Sequence, residues 1–179
     1  MRIRKPSLLF AFIAAGCMEN TPTAQRLASP DNAERSATPS PVSRPFSGTC
    51  ELTFTPAPFP PPPTFVSTDD GTCQFSQLGK TDFHGVQTIN FVAGTQIGQR
   101  TFTAANGDVL RLEHSGTSAP AGPGLIAFQA TARVVGGTGR FENATGQTRA
   151  WGTANLATHT SVANFEGEIS YAASARRNP

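Results

Sequence analysis

Two cysteines are placed where they could form a covalent link. Cys50 and Cys73 each end a Gly-Thr-Cys triplet, and each lies in a strand-like stretch. If the two strands form a hairpin centred in the proline run between them, the cysteines become cross-strand neighbours within bridging distance. A redox-active pair would need the short C-x-x-C spacing and a helix N-terminus to lower a thiol pKa, and the sequence offers neither. The spacing therefore predicts a structural disulfide, which would persist in an exported chain.

Three histidines are the other side chains that could do metal or acid–base chemistry. His84, His114 and His159 lie in three separate strand-like stretches, and no two have the short spacing typical of metal ligands. We therefore expect scattered histidines and predict neither a metal nor a cofactor. The Asp-Asp-Gly run at 69–71 could help to hold a cation, but acidic residues before glycine are more typical of a turn.

The sequence also lacks the common motifs for hydrolytic and phosphate chemistry. There is no G-x-S-x-G nucleophile elbow. The glycine-rich run at 136–139 is followed by neither Lys-Ser/Thr nor a helix pattern, so it is not a phosphate-binding loop. We predict no catalytic residue from these patterns.

Strands must position all of these residues. Within 47–173, apolar residues alternate with polar ones, as Cys50, Leu52 and Phe54 do, and this period marks a strand with one buried face. Asn106-Gly107 is typical of a hairpin turn. About eight such strands, with no amphipathic helix, predict an all-β antiparallel domain. Periodicity alone does not choose between a closed barrel and a sandwich.

A glycine-rich corner joins two of the predicted strands. It contains four glycines and one phenylalanine: Gly136, Gly137, Gly139, Gly146 and Phe141. Glycine supplies positive backbone angles or close chain approach that other residues adopt only at a cost. The phenylalanine supplies one large apolar anchor. We predict that this corner is structural, and that Arg140→Ala within it costs little if its guanidinium is solvated.

The N-terminus is typical of an exported protein. Residues 1–16 combine a basic start with an apolar segment too short to span a bilayer. The run Ala14-Ala15-Gly16-Cys17 at its end resembles the lipobox of bacterial lipoproteins, although Leu is more common where Ala14 stands. The resemblance implies that Cys17 is lipidated and anchors the protein in a membrane. The alternative is an ordinary signal peptide and a secreted protein.

The predicted organisation has four parts. After the signal peptide (1–16), residues 17–46 are rich in Pro, Ser and Thr without an apolar period, which predicts a disordered tether. The β-domain would span 47–173, followed by a tail at 174–179. Met18 occupies the position where Asp resembles an inner-membrane retention signal, so the outer membrane is favoured if the host has two.

The charge balance argues against a nucleic-acid partner. The chain carries 14 basic and 12 acidic residues. Three basic residues lie in the leader, and removing them leaves 11 basic against 12 acidic residues, a net charge near −1. A basic nucleic-acid-binding surface is therefore not indicated.

The glycine corner also carries a resemblance. The run Gly136-Gly137-Thr138-Gly139-Arg140-Phe141, with Gly146 after it, resembles the corner of allene oxide cyclase and dirigent-like barrels. The stretches 77–80 (Gln-Leu-Gly-Lys) and 103–108 (Thr-Ala-Ala-Asn-Gly-Asp) resemble those of exported bacterial proteins with the same corner. The resemblance implies an eight-stranded antiparallel β-barrel over about 47–173. No local motif allows the active-site residues of those proteins to be mapped here, so their activities are not transferred.

Three functions remain open on the sequence. The leading hypothesis is a non-catalytic module at the cell envelope that binds a small apolar ligand or a surface. An isomerase- or cyclase-like enzyme would instead need polar groups inside the barrel, for which Glu51, Glu113 and Arg133 are candidates. A structural envelope protein would have a filled barrel. The oligomeric state is not determined by the sequence.

Overall fold

The structure is a computed structural model that describes residues 41–171. The predicted signal peptide, Cys17, most of the predicted tether and the C-terminal tail lie outside these residues. The described chain forms eight strands and one short 3₁₀ turn, Gly139–Phe141. The strands are β1 (Val42–Phe54), β2 (Thr64–Phe75), β3 (Gly79–Asn90), β4 (Thr95–Ala104), β5 (Val109–Gly122), β6 (Leu125–Gly137), β7 (Thr145–Asn155) and β8 (Thr160–Tyr171).

The strands close into a barrel. Each strand pairs antiparallel with the next, and β8 pairs antiparallel with β1. This confirms the predicted all-β, eight-stranded antiparallel barrel and excludes the sandwich. Inward-facing residues alternate with outward-facing ones, as the period-two pattern requires. No helix in residues 41–171 is long and apolar enough to cross a membrane.

Two local predictions differ from the structure. The first strand begins at Val42 rather than at residue 47, so the end of the predicted tether belongs to the barrel. Pro45 is tolerated there because it pairs only with β8, while β2 pairs with β1 only from Gly48 onward. The run 69–71 lies within β2 and not in a turn. The pairing between β2 and β3 continues without interruption through this run.

The predicted cysteine pair is a disulfide in the structure. Cys50 and Cys73 are directly opposite each other in the β1–β2 register, with a Cα–Cα distance of 4.0 Å, and are joined by a bond between their sulfurs. Both are buried in the core. In the chain-entropy model a loop of this length contributes about 3 kcal/mol to stability.

The barrel has two different ends, which we call the closed end and the mouth. The closed end carries the turns after β2, β4 and β6 and the two ends of the described chain. The mouth carries the connections at 55–63, 91–94, 123–124 and 156–159. Five phenylalanine rings fill the interior toward the closed end, with neighbouring centroids 4.4–6.4 Å apart. They are Phe46, Phe75, Phe83, Phe102 and Phe165.

The glycine corner closes that end. Phe141 is fully buried, and its ring centroid lies 5.0 Å from that of Tyr171. Gly139 has φ +57, and a Cβ built on it would lie 1.8 Å from Oδ1 of Asp108. Gly136 and Gly146 have φ +102 and +146, and a Cβ on Gly137 would lie 1.8 Å from the Val109 carbonyl oxygen. The backbone geometry therefore requires these glycines.

Arg140 is less exposed than the sequence suggested. Its side chain is mostly buried, and its Nε lies 3.6 Å from Oδ2 of Asp108. Its guanidinium carbon lies 4.7 Å from the centroid of Phe141. The condition of a solvated guanidinium is therefore not met, because the corner lies against the start of β5 and places Asp108 beside Arg140.

Candidate functional site

Four polar side chains converge inside the barrel on the mouth side of the phenylalanine cluster. Asp69, Gln87, Arg100 and His114 project inward from four consecutive strands, β2 to β5. The Gln87 amide links two of them. Its Nε2 donates to Oδ2 of Asp69 over 2.8 Å, and its Oε1 lies 3.3 Å from Nε2 of His114. We call these four residues the lumenal polar cluster.

Arg100 is the charged centre of this cluster. Its side chain is only 6% exposed, and its guanidinium carbon lies 5.4 Å from the ring centroid of Phe165 on the opposite strand β8. Its Nη1 atom is buried with no hydrogen-bond partner among the described residues. Burial lowers the pKa of Arg100 to about 10, although the nearby Asp69 opposes that shift. The guanidinium is therefore a buried cation whose Nη1 group can still donate a hydrogen bond.

Burial also moves the pKa values of the two other titratable groups. Desolvation raises the pKa of Asp69 from 3.8 to about 6, against the opposing attraction of Arg100. Burial, with a smaller contribution from Arg100, lowers the pKa of His114 from 6.5 to about 3. Nδ1 of His114 has no partner within the described chain. His114 is thus neutral at neutral pH.

The barrel wall on the mouth side of Phe165 carries small side chains. These inward-facing residues of β5 to β8 are Gly116, Ala130, Ala150, Gly152, Ala154 and Ala163. Ile126 and Phe128 are the large apolar residues on the same face of β6, and Phe128 packs against the core. The ring of Phe128 also covers Gly152, since a Cβ built on Gly152 would lie 2.8 Å from its Cζ. The interior therefore combines an apolar floor, a small-residue wall and the polar cluster.

The lumenal candidates expected from the sequence are not in the lumen. Glu51, Glu113 and Arg133 are all exposed on the outer face. Nη2 of Arg133 donates to Oε2 of Glu113 over 2.9 Å, across the β5–β6 pairing. The expectation is wrong because each of these residues alternates with buried neighbours, such as His114 beside Glu113.

The three histidines are scattered. Nδ1 of His84 lies 2.6 Å from Oδ1 of Asp70 on the outer face. His159 lies in the turn before β8 with φ +54, and only His114 faces the interior. Within residues 41–171 no group of three or more potential metal ligands comes together.

Sequence reasoning missed the lumenal polar cluster, although a signal was present. Arg100 shares the parity of Phe102 on β4, and His114 shares that of Leu110 and Leu112 on β5. A charged or imidazole side chain on the apolar face of a strand marks a buried polar group. That signal identifies each residue separately. It does not show that they meet.

An open groove on the outer wall is the other concave feature near this region. It has a volume of about 660 Å³ and runs over β5 to β8. Its two arginines are already paired, Arg133 with Glu113 and Arg149 with Glu166, at 2.9 and 2.8 Å. Exposed pairs of this kind contribute little to binding or stability. We therefore place the candidate site in the lumen, where Nη1 of Arg100 and Nδ1 of His114 are buried without partners in the described chain.

Fold and interior together define the class of protein, a closed eight-stranded antiparallel β-barrel with polar groups inside it. The structure is similar to that of the pterocarpan synthase dirigent protein GePTS1, with a TM-score of 0.52 and 11% sequence identity. The similarity covers 75% of this chain and 93% of that chain. At this identity it shows the fold alone, so the protein has a dirigent-like barrel. The sequence matches no protein-family model and no curated protein.

Proposed function

We propose that the barrel binds a small, largely apolar molecule that carries one hydrogen-bond acceptor, with a carboxylate as the best fit. The observation that supports this is the buried Nη1 donor of Arg100, which has no partner in the described chain. A buried cation without a hydrogen-bonded partner is costly, and an anionic ligand oxygen would satisfy it. The phenylalanine floor and the small-residue wall would contact the apolar part of the ligand.

Calorimetric titration of paired ligands tests this proposal. Benzoate, 4-phenylbutyrate and octanoate, each beside its uncharged amide, vary the acceptor at constant shape. We expect the acids to bind more tightly than the amides. Arg100→Met should weaken acid binding by about 10- to 100-fold, because a hydrogen bond to a charged group contributes about 1.5–3 kcal/mol.

Arg133→Met is the matched control, since Arg133 lies on the outer face. It should leave the affinity for the acids unchanged. Equal affinity for acid and amide, or an Arg100→Met variant that binds the acids normally, would contradict the proposal. Failure of the whole panel to bind would favour the filled, structural barrel.

A cyclase- or isomerase-like activity is the second candidate, and one observation favours it. Asp69 lies in the lumen with its pKa raised to about 6. A carboxyl group of that pKa exchanges protons near neutral pH and suits general acid–base catalysis. Mass analysis of a bound ligand after prolonged incubation separates the two functions. A binder releases its ligand unchanged, whereas an enzyme yields a product that Asp69→Asn no longer forms.

We also propose that the barrel is held at a bacterial cell envelope by a lipid on Cys17, in the outer membrane if the host has two. The lipobox-like run that ends at Cys17 supports this. Cys17→Ser should abolish metabolic labelling with a fatty acid. Equal labelling of the wild type and the variant would overturn the anchor and leave the secreted alternative.

A further inference from the structure

Charge is segregated along the barrel axis. The four segments that build the mouth half contain no Asp, Glu, Lys or Arg: 52–68, 85–99, 115–132 and 150–165. Every charged residue within 41–171 lies outside these segments, toward the closed end or around the middle of the barrel. A soluble surface normally intersperses charges of both signs. The four segments of the mouth half carry no charged residue on either the inner or the outer face of the barrel.

Exposed apolar side chains occur in or beside every connection at the rim of the mouth, among polar residues such as Thr158 and His159. Phe59 in the connection 55–63 is 97% exposed, and Val92 in the connection 91–94 is 80% exposed. Phe91 beside it and Leu156 in the connection 156–159 are also exposed, as is Leu125 at the β5–β6 turn. Each connection at the mouth therefore presents or adjoins a large exposed apolar side chain. The set is distributed over all four connections of the mouth rather than over one side of the barrel.

The rim is also tied together by its own backbone. Four hydrogen bonds join the connections to one another or to the strand ends beside them. The backbone N–H groups of Phe91, Ser118, Leu156 and Phe54 donate to the carbonyl oxygens of Pro63, Gly94, Gly124 and His159, respectively. The N···O distances are 2.8, 2.8, 2.8 and 3.0 Å. These backbone donors therefore need no water. Satisfied backbone is the main requirement for entering a non-aqueous phase.

The only tryptophan of the chain marks the border of the uncharged half. Trp151 is exposed on the outer face of β7. The guanidinium carbon of Arg149 lies 5.3 Å from its ring centroid, and Arg149 pairs with Glu166. Tryptophan prefers the interface between the apolar interior and the polar headgroups of a membrane. Here it stands between an uncharged band and the first charged residues.

We propose that the mouth is a membrane-docking surface that inserts its apolar rim into the outer part of a lipid bilayer. A bilayer disfavours charge everywhere along the inserted surface, and the mouth half carries none. A protein partner would instead bind to one complementary patch, and such a patch is normally surrounded by polar or charged residues. The distribution over all four connections matches a plane perpendicular to the barrel axis.

The length of chain before the barrel is compatible with this orientation. Val42 lies at the closed end of the barrel. A lipid on Cys17 and a docked mouth can therefore reach the same bilayer only if the chain before Val42 is longer than the barrel. A strand of β1 length spans about 40 Å. The residues between Cys17 and the barrel could extend to about 80 Å. A lipid on Cys17 and a docked mouth can therefore share one bilayer, although docking does not require the lipid.

Vesicle binding tests the docking surface directly. The barrel closes within residues 42–171, so residues 18–179 exported through a heterologous signal peptide carry the whole fold without a lipid. We expect this protein to sediment with phosphatidylcholine vesicles at low and at high salt. Trp151 emission should shift to the blue and be quenched by brominated lipid.

Acidic substitutions at the rim provide the decisive comparison. The double variant Phe59→Asp, Phe91→Asp should weaken vesicle binding by about tenfold or more, because a charge is strongly disfavoured in the bilayer. Val135→Asp is the matched control, since Val135 is 42% exposed but lies on the outer wall toward the closed end. It should bind vesicles like the wild type.

Three outcomes would overturn the proposal. They are no vesicle binding by the wild type, equal binding by the rim variant and the Val135→Asp control, and a wild-type dimer in ultracentrifugation that the rim variant dissociates. The last would assign the rim to a second copy of the chain. Carboxylate binding at Arg100 is measured without vesicles, so either proposal can fail alone.

Discussion

Phe141→Ala is expected to lower the free energy of unfolding by about 3–5 kcal/mol, since the substitution removes a fully buried ring and leaves a cavity. The loss should be large because the ring packs edge-to-face against Tyr171 and lies beneath the guanidinium of Arg140. Small domains have only about 5–15 kcal/mol of stability. Urea denaturation followed by circular dichroism measures the effect.

Two glycines, one in the β4–β5 turn and one in the glycine corner, separate backbone strain from steric conflict. Gly107→Ala tests strain alone, because Gly107 has φ +84 and nothing lies within 4 Å of the added Cβ. It should cost about 1–2 kcal/mol. Gly139→Val adds a collision with Asp108 to a positive φ and should cost more. If Phe141→Ala and Gly139→Val both left stability unchanged while abolishing ligand or surface binding, the corner would be a binding element instead.

Acidification is expected to destabilise the barrel through His114. The unfolded chain binds a proton at this residue near its ordinary pKa of 6.5, whereas the folded protein does so only at about 3. Stability contributed by the neutral imidazole is therefore lost as the pH falls between those two values. At about pH 4 the loss amounts to roughly 3 kcal/mol, at 1.36 kcal/mol for each pH unit. Urea denaturation of the wild type and of His114→Gln at pH 7 and pH 4 measures it as the difference between the two proteins, because the wild-type change also contains the opposing contribution of Asp69.

His114→Gln should remove this part of the acid loss, and His84→Gln should not. His84 is the matched control because it is exposed on the outer face. Asp69 works in the opposite direction. Its pKa is raised to about 6 in the folded protein, so the folded state gains its proton first and stability rises as the pH falls from 6 to 3.8. An acid loss in the wild type that His114→Gln leaves intact would show that the imidazole is accessible to solvent.

The sequence by itself determined the local elements of this protein. Alternation predicted about eight strands and the buried face of residues such as Cys50 and Leu52, because the side-chain period of a strand is fixed by its backbone. Asn106-Gly107 determined a hairpin, and the matching Gly-Thr-Cys triplets predicted the register that pairs Cys50 with Cys73. Each of these depends on residues close in the chain or on one turn between two neighbouring strands.

Which residues form the lumenal polar cluster and the uncharged mouth was decided only by the tertiary structure. Arg100 and His114 lie inside the barrel, and Glu113 lies outside. Closure of the barrel decides this, because it turns one face of each strand toward the interior and the other toward the outside. The lumenal polar cluster draws one side chain from each of four strands, and the uncharged mouth gathers segments separated by many residues. Such convergence depends on the register of eight strands and on the β1–β8 pairing that closes them. No local pattern in the chain carries that information, since register between distant strands is a property of the closed sheet.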